Sequence, residues 1–173
     1  DLASKALDYF NEEITQPDFY TSSLVLLLSA VYVDPTTIIP MMNEQIFSNI
    51  SDNIEIFKEA PDNYIGLCVI GFCTLTMNGM ERCYLDAAKT VKILIENNRL
   101  VDDDDEELNK IGTIGGISAF KDKTIQFYLP FDSLNPYDFF LKTSEETHLY
   151  ETYLSDEDWQ PIYECATELS KEF

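Results

Sequence analysis

Apolar residues recur at spacings of three and four along the first hundred positions, which predicts one helix after another. Leu2, Ala6, Tyr9, Phe10 and Glu13 keep helical spacing in the first segment. Pro17 opens a second helix at a place where its missing N–H is harmless. The apolar stripe of that helix is Phe19, Tyr20, Leu24, Leu27, Leu28 and Val31. Asp34-Pro35 then reads as a restart, with Asp as N-cap and Pro in the first turn, and Pro40 limits or kinks the element begun there. Ile46, Phe47, Ile50, Ile54 and Phe57 supply the next stripe. From Pro61-Asp62 an element running over Tyr64 to Met77 is apolar on nearly every face, the pattern of a helix buried between neighbours. Its Gly66 and Gly71 weaken the intrinsic propensity and permit close packing. After a turn at Asn78-Gly79, the stripe Tyr84, Ala87, Ala88, Val91, Leu94 and Ile95 predicts one more helix, with Lys89 and Lys92 facing out.

Residues 1–100 therefore read as helical hairpins, recurring at intervals of about 40 residues, the period of HEAT-type repeats. Past Arg99 the pattern changes. The run Asp102-Asp103-Asp104-Asp105-Glu106-Glu107 interrupts it, and Gly112, Gly115 and Gly116 oppose helix. Ile125, Phe127, Leu129 and Phe131 alternate with period two, an extended segment. Residues 101–134 thus form an acidic loop with a short extended stretch. Residues 135–173 return to helix: Asn135-Pro136 restarts one with Tyr137, Phe140 and Leu141 inward and His148 within it. Ser155 with Asp158 is a variant capping box for the last, whose stripe is Ile162, Cys165, Ala166, Leu169 and Phe173. Pro161 stands late for a helix starting at Ser155, so either the first turn is kinked or the helix starts near Gln160.

Charge changes the picture. The 173 residues hold 32 Asp and Glu against 11 Lys and Arg, a net −21, which makes nucleic acid and anionic membranes poor partners and basic proteins good ones. The 45% of hydrophobic residues, with Phe and Tyr abundant, is too much for a disordered acidic tail, so a core forms and the charge sits on its surface or in a loop. The chain opens on acidic Asp1 without an initiator Met, which reads as a fragment or trimmed piece without the basic start of a secretory signal. Its longest apolar run, Leu24 to Val33 with Ser29 interrupting, is about half of a bilayer span and reads as a buried helix.

Residues with chemistry are few. Cys68, Cys73, Cys83 and Cys165 form no CxxC pair and read as buried, reduced thiols of an intracellular protein. His148 is the single histidine, which excludes a two-histidine metal site and leaves little for a Ser-His or Cys-His nucleophile. The glycines at 112, 115 and 116 match neither GxGxxG nor a P-loop. Asn49-Ile50-Ser51 matches a glycosylation sequon by chance composition. With 32 acids, adjacent carboxylates say nothing about catalysis, which needs one carboxylate of raised pKa in a cleft. No enzyme and no cofactor are expected. The run Asp102 to Glu107 lacks the spacing of a calcium loop. It reads first as a solvated acidic loop, next as a docking surface for basic partners, and last as a weak calcium or magnesium site.

In this order the segments resemble the C-terminal end of importin-beta-like nuclear transport receptors, the karyopherins, closest to the branch that imports ribosomal proteins and histones. Ser23 to Pro35 looks like the helix of that family that ends in an aromatic before Asn/Asp-Pro, and Ile46 to Phe57 looks like the long helix after it. Leu67 to Leu75 is similar to the buried LGLxxL helix, Asp102 to Glu107 stands where an acidic insertion falls, and Asn135 to Phe140 with the closing helix resembles the last repeat. The resemblance implies an all-α fold, a HEAT-repeat superhelical solenoid without an active site. It also implies a nucleocytoplasmic role at the nuclear pore. Basic cargo would bind Asp102, Asp103, Asp104, Asp105, Glu106 and Glu107; Ran GTPase would bind N-terminal repeats that this chain lacks; nucleoporins would be further partners; and neither nucleic acid nor membrane would be. A second reading of the same charge is a stand-alone acidic inhibitor or nucleic-acid mimic that neutralises a basic partner, which would spread its carboxylates over one face.

Overall fold

The computed structural model describes residues 2–11, 19–99 and 134–172, and among these every element is helical. The α-helices are α1 (Leu2–Asn11), α2 (Tyr20–Val33), α3 (Pro35–Ile38), α4 (Glu44–Asp52), α5 (Asp62–Met77), α6 (Cys83–Arg99), α7 (Pro136–Thr147), α8 (Tyr150–Tyr153) and α9 (Asp156–Glu172). Two 3-10 helices, Ile39–Met41 and Ile54–Glu59, join them. The all-α class expected from the periodicity is what is observed.

The helices pack in two rows. In one row α5 lies between α2 and α7. In the other, α1 meets α4, the 3-10 helix Ile54–Glu59 meets α6, and α6 meets α9. The rows join where α1 packs on α2, α5 on α6, and α9 on α7. The helix apolar on all faces is thus the central one: Ile65 through Cys73, with Leu75 and Thr76, are buried. At Gly71 a Cβ would collide with Leu28 Cβ, so the absent side chain is what lets α2 and α5 approach. The turn after α5 closes by a Schellman arrangement. Met80 N–H donates to Leu75 O at 3.0 Å and Gly79 N–H to Thr76 O at 3.2 Å, and Gly79 takes φ +97° at little cost because it has no Cβ.

Side-chain caps mark the helix starts expected at Asp34-Pro35, Asn135-Pro136 and Ser155, and one more at Asn43. Asp34 Oδ1 accepts from Thr37 N–H, Asn43 Oδ1 from Ile46 N–H at 3.0 Å, and Asn135 Oδ1 from both Tyr137 and Asp138 N–H. Ser155 Oγ accepts from Asp158 N–H at 3.3 Å and donates to Asp158 Oδ2 at 3.0 Å. The last helix starts at Asp156 and runs through Pro161. That proline is exposed and forfeits only the bond that a helix would send to the Glu157 carbonyl.

Three expectations change. Phe19, placed in the core stripe of α2, is 55% exposed because it precedes the first turn of that helix. The stripe from Ile46 to Phe57 is buried but is not one helix. Asn53 donates its amide to Asn49 O at 2.7 Å and its N–H to Ile50 O, and a 3-10 helix comes next. A side chain that bonds the backbone locally competes with α-helical continuation. His148 is not inside a helix: it ends α7 in the left-handed region at φ +54°. Asn49, the sequon asparagine, donates to Phe10 O at 2.5 Å in the contact between α1 and α4. Glu13, Pro17, Gly112, Gly115, Gly116, the extended stretch 124–131 and Phe173 lie outside the described residues.

Aromatic rings bind the second half together. Tyr84 of α6 stacks on Phe140 of α7 at 5.6 Å, Phe140 meets Trp159 of α9 at 6.2 Å, and Trp159 stacks on Tyr150 of α8 at 4.3 Å and 11°. Tyr20 does the same in the first half. Its ring meets Phe10 and Phe57, and its hydroxyl donates to Ile50 O at 2.6 Å.

Gly71→Ala should destabilise the fold by ~1–3 kcal/mol in urea denaturation, because Leu28 is itself buried and has little room to yield. Adding Leu28→Gly, which removes the Cβ that the new methyl would meet, should make the pair cost less than the sum of the single changes. His148→Gly should stabilise by ~1 kcal/mol in the same measurement, since it removes a Cβ from a left-handed position.

Candidate functional site

The candidate site is the acidic run, and Asp102, Asp103, Asp104, Asp105, Glu106 and Glu107 all lie outside the described residues. What is described is the frame from which segment 100–133 departs and to which it returns: the end of α6 and the start of α7. Both are core helices. Leu94 and Ile95 are buried near the end of α6, and Tyr137 and Phe140 near the start of α7.

A polar knot fixes this frame. Asn98 donates one amide hydrogen to Leu94 O at 2.9 Å and one to Tyr137 Oη at 3.0 Å, tying α6 to α7. Asn135 caps α7 with its oxygen and donates its amide to Ser170 O and Oγ at 3.0 and 3.2 Å, tying α7 to α9. Asp62 at the start of α5 belongs to the same end. Partial burial pushes its carboxyl above the ordinary range while the Asn97 side chain pulls it down. Burial, with the Asp62 charge second, raises the Tyr137 phenol. The two helix ends that bracket segment 100–133 are therefore held by side chains whose hydrogen bonds close within the protein, and the backbone around them is set by packing.

Acid is unevenly spread over the described chain. Residues 136–172 hold ten carboxylates against Lys142 and Lys171, whereas residues 19–99 hold nine against five Lys and Arg, so the excess sits with the helices after the acidic run. On α9, Asp156, Glu157, Asp158, Glu164, Glu168 and Glu172 are all exposed. Asp and Glu in its first turn also complement the helix dipole. The ion pairs are local: Lys142 with Asp138 at 3.0 Å and Lys58 with Glu55 at 2.6 Å.

The residues weighed for other chemistry are not brought together. His148 is exposed, 3.3 Å from Tyr150 Oη and 3.8 Å from Glu151. All four cysteines are buried and unbridged. Burial pushes the Cys73 and Cys83 thiols up to about 12 and Cys68 well above its ordinary value, which keeps them protonated and poor nucleophiles. Among the described residues no three His, Cys, Asp or Glu side chains converge as a metal site would need. An open groove of about 680 Å³ lies between the start of α2, the 3-10 helix Ile54–Glu59 and the start of α5, with Ser22, Lys58, Glu59, Pro61 and Tyr64 on its walls. No single helix among the described residues is long and apolar enough to cross a membrane.

One carboxylate escaped notice in the sequence. Asp86, in the first turn of α6, is 4% exposed and accepts a hydrogen bond from Ser51 Oγ at 3.0 Å. Burial pushes it up to about 6, against the opposing pull of the Ser51 hydroxyl and of the Lys89 and Arg82 charges. Its place in the pattern was a weak signal: Asp86 is followed by Ala87 and Ala88 and precedes Thr90, and both alanines and the threonine are buried.

Comparison with protein-family models, with curated proteins and with solved structures finds no match to this chain.

Asn135→Ala should cost ~1–2 kcal/mol in urea denaturation. It removes the cap of α7 and the tie to Ser170 together, whereas Asn135→Asp, which keeps the cap alone, should cost less.

Proposed function

We propose that this chain is the C-terminal part of a karyopherin-type import receptor that binds basic protein cargo and carries out no catalysis. The observation that carries the reading is positional. Segment 100–133, with its run of six carboxylates, departs and returns between α6 and α7, two packed helices of a two-row array whose neighbours follow chain order. An array of this kind is what stacked HEAT-type hairpins produce, and a solenoid of such hairpins presents its interruptions as loops on one face. The acid excess of α7 to α9 adds to the same surface potential. Under this reading ribosomal proteins and histones are cargo, Ran GTPase binds repeats that precede this segment in the whole receptor, nucleoporins are contacted in transit, and the protein works in cytoplasm and nucleus.

The exposed carboxylates along α9 favour one second reading, an acidic inhibitor or nucleic-acid mimic, because they would oppose a basic partner even without residues 102–107. The two readings separate in one experiment. Asp102 to Glu107 are replaced by Ser and Gly, and binding of histones and ribosomal proteins is measured over a salt series. The receptor reading expects unchanged thermal unfolding, affinity reduced ~10-fold or more, and a shallower salt dependence. Undiminished cargo binding, lost instead when the α9 carboxylates are changed to Gln and Asn, favours the mimic. No binding to basic proteins by the parent chain would end both.

A further inference from the structure

Three contacts join one face of α4 to the turn before α6 and to the first turn of that helix. Arg82 pairs with Glu44 and stands over the Phe47 ring at 5.5 Å, and Ser51 donates to Asp86 at 3.0 Å. Glu44, Phe47 and Ser51 are spaced by three and four, so they share one stripe of α4; Arg82 stands in the turn just before α6 and Asp86 in its first turn. The Arg82–Glu44 pair lies at the solvent edge, with the Glu44 side chain 81% exposed, whereas the Phe47 ring beneath Arg82 is buried. The third is enclosed. Asp86 is 4% exposed, and among the described residues its carboxylate has a neutral hydroxyl as partner and no cation in ion-pair contact.

We propose that Asp86 and Ser51 form a pH-sensitive latch that holds α4 against α6 and loosens when Asp86 ionises. An ionised carboxylate enclosed with one hydroxyl lacks the hydration it would have in water, and swinging α4 away restores it. The charged and titratable groups that act on Asp86 are Asp52 of α4, Arg82 of the turn before its helix, Cys83 and Lys89 of its own helix, and Tyr20 of α2. Asp52 opposes ionisation, whereas Lys89 and Arg82 favour it. The sign is fixed by the raised value. With α4 released, Asp86 titrates near its ordinary 3.8; with α4 in place, near 6. Opening therefore becomes easier as pH rises between those values and levels off above the higher one. Acidification tightens α4, and neutral pH loosens it.

Hydrogen exchange of the α4 amides, corrected for intrinsic rates, tests this on the full chain. Measurement runs from about pH 5 to about pH 7, above the isoelectric point near 4.1 where solubility is poorest. The opening equilibrium of α4 should rise about 10-fold over that range, as the difference between 3.8 and about 6 requires. Amides in the middle of α5, which report global unfolding, should be better protected than those of α4 at every pH, since global unfolding exposes Asp86 as well and carries the same Asp86 dependence at a higher cost. Asp86→Asn, close in shape and without the titration, should remove the extra pH dependence of α4. Ser51→Ala should move the rise to higher pH, because the hydroxyl that favours the carboxylate is gone. Equal pH dependence in parent and Asp86→Asn overturns the proposal, as do α4 amides that exchange only through the global unfolding seen in α5.

Discussion

The burial of α5 on every side governs this molecule. A helix with Ile65 through Cys73 enclosed needs apolar cover all round, and α2, α6 and α7 provide it. Gly71 sets how near α2 comes, through contact with Leu28. Because cover from α7 arrives only after residue 133, the chain between α6 and α7 is bracketed by helices that the core cannot release. An acid-rich segment placed there is held at both ends by hydrophobic packing. The knot of Asn98, Tyr137, Asn135 and Ser170 then fixes the angle at which those ends face each other.

Charge is handled by location. At net −21 the chain repels itself, and most described carboxylates stand in water, where repulsion is screened. Asp86 is the departure, enclosed where α4 meets α6 and satisfied by one hydroxyl. Its neighbours along α4 are the exposed pair Glu44–Arg82 and the ring of Phe47, so the docking of α4 combines a screened ion pair with an unscreened carboxyl. Such a combination makes the docking of one helix responsive to pH. Cys68, Cys73 and Cys83 are the contrary case: apolar enclosure holds them as thiols, and they act as small hydrophobic fillers.

Much of the architecture was legible because it rests on local physics. Caps at Asp34, Asn135 and Ser155, the Asn78-Gly79 turn, and the stripe from Tyr84 to Ile95 all come from hydrogen bonds or periodicity within a few residues. The failures are equally instructive. The stripe Ile46 to Phe57 kept its burial but lost its single helix to the side chain of Asn53, a competition that periodicity does not register. His148 was assigned to a helix on its flanks, yet its backbone is left-handed, since α7 must stop for α8 to fold back and bring Tyr150 against Trp159.

The sequence by itself determined the helical class, the positions of most helix starts and turns, the burial of α5, and the contrast between an apolar interior and a strongly acidic exterior. Each depends on residues close together in the chain. Tertiary structure decided which helices become neighbours, that the brackets of segment 100–133 are tied through Asn98 and Asn135, and that Asp86 is enclosed beside Ser51. Those outcomes join residues 35 or more positions apart, such as Ser51 with Asp86 and Asn98 with Tyr137, and no local pattern specifies such a pairing. Two-sided packing selects it, because only in the assembled rows does each apolar face find its cover.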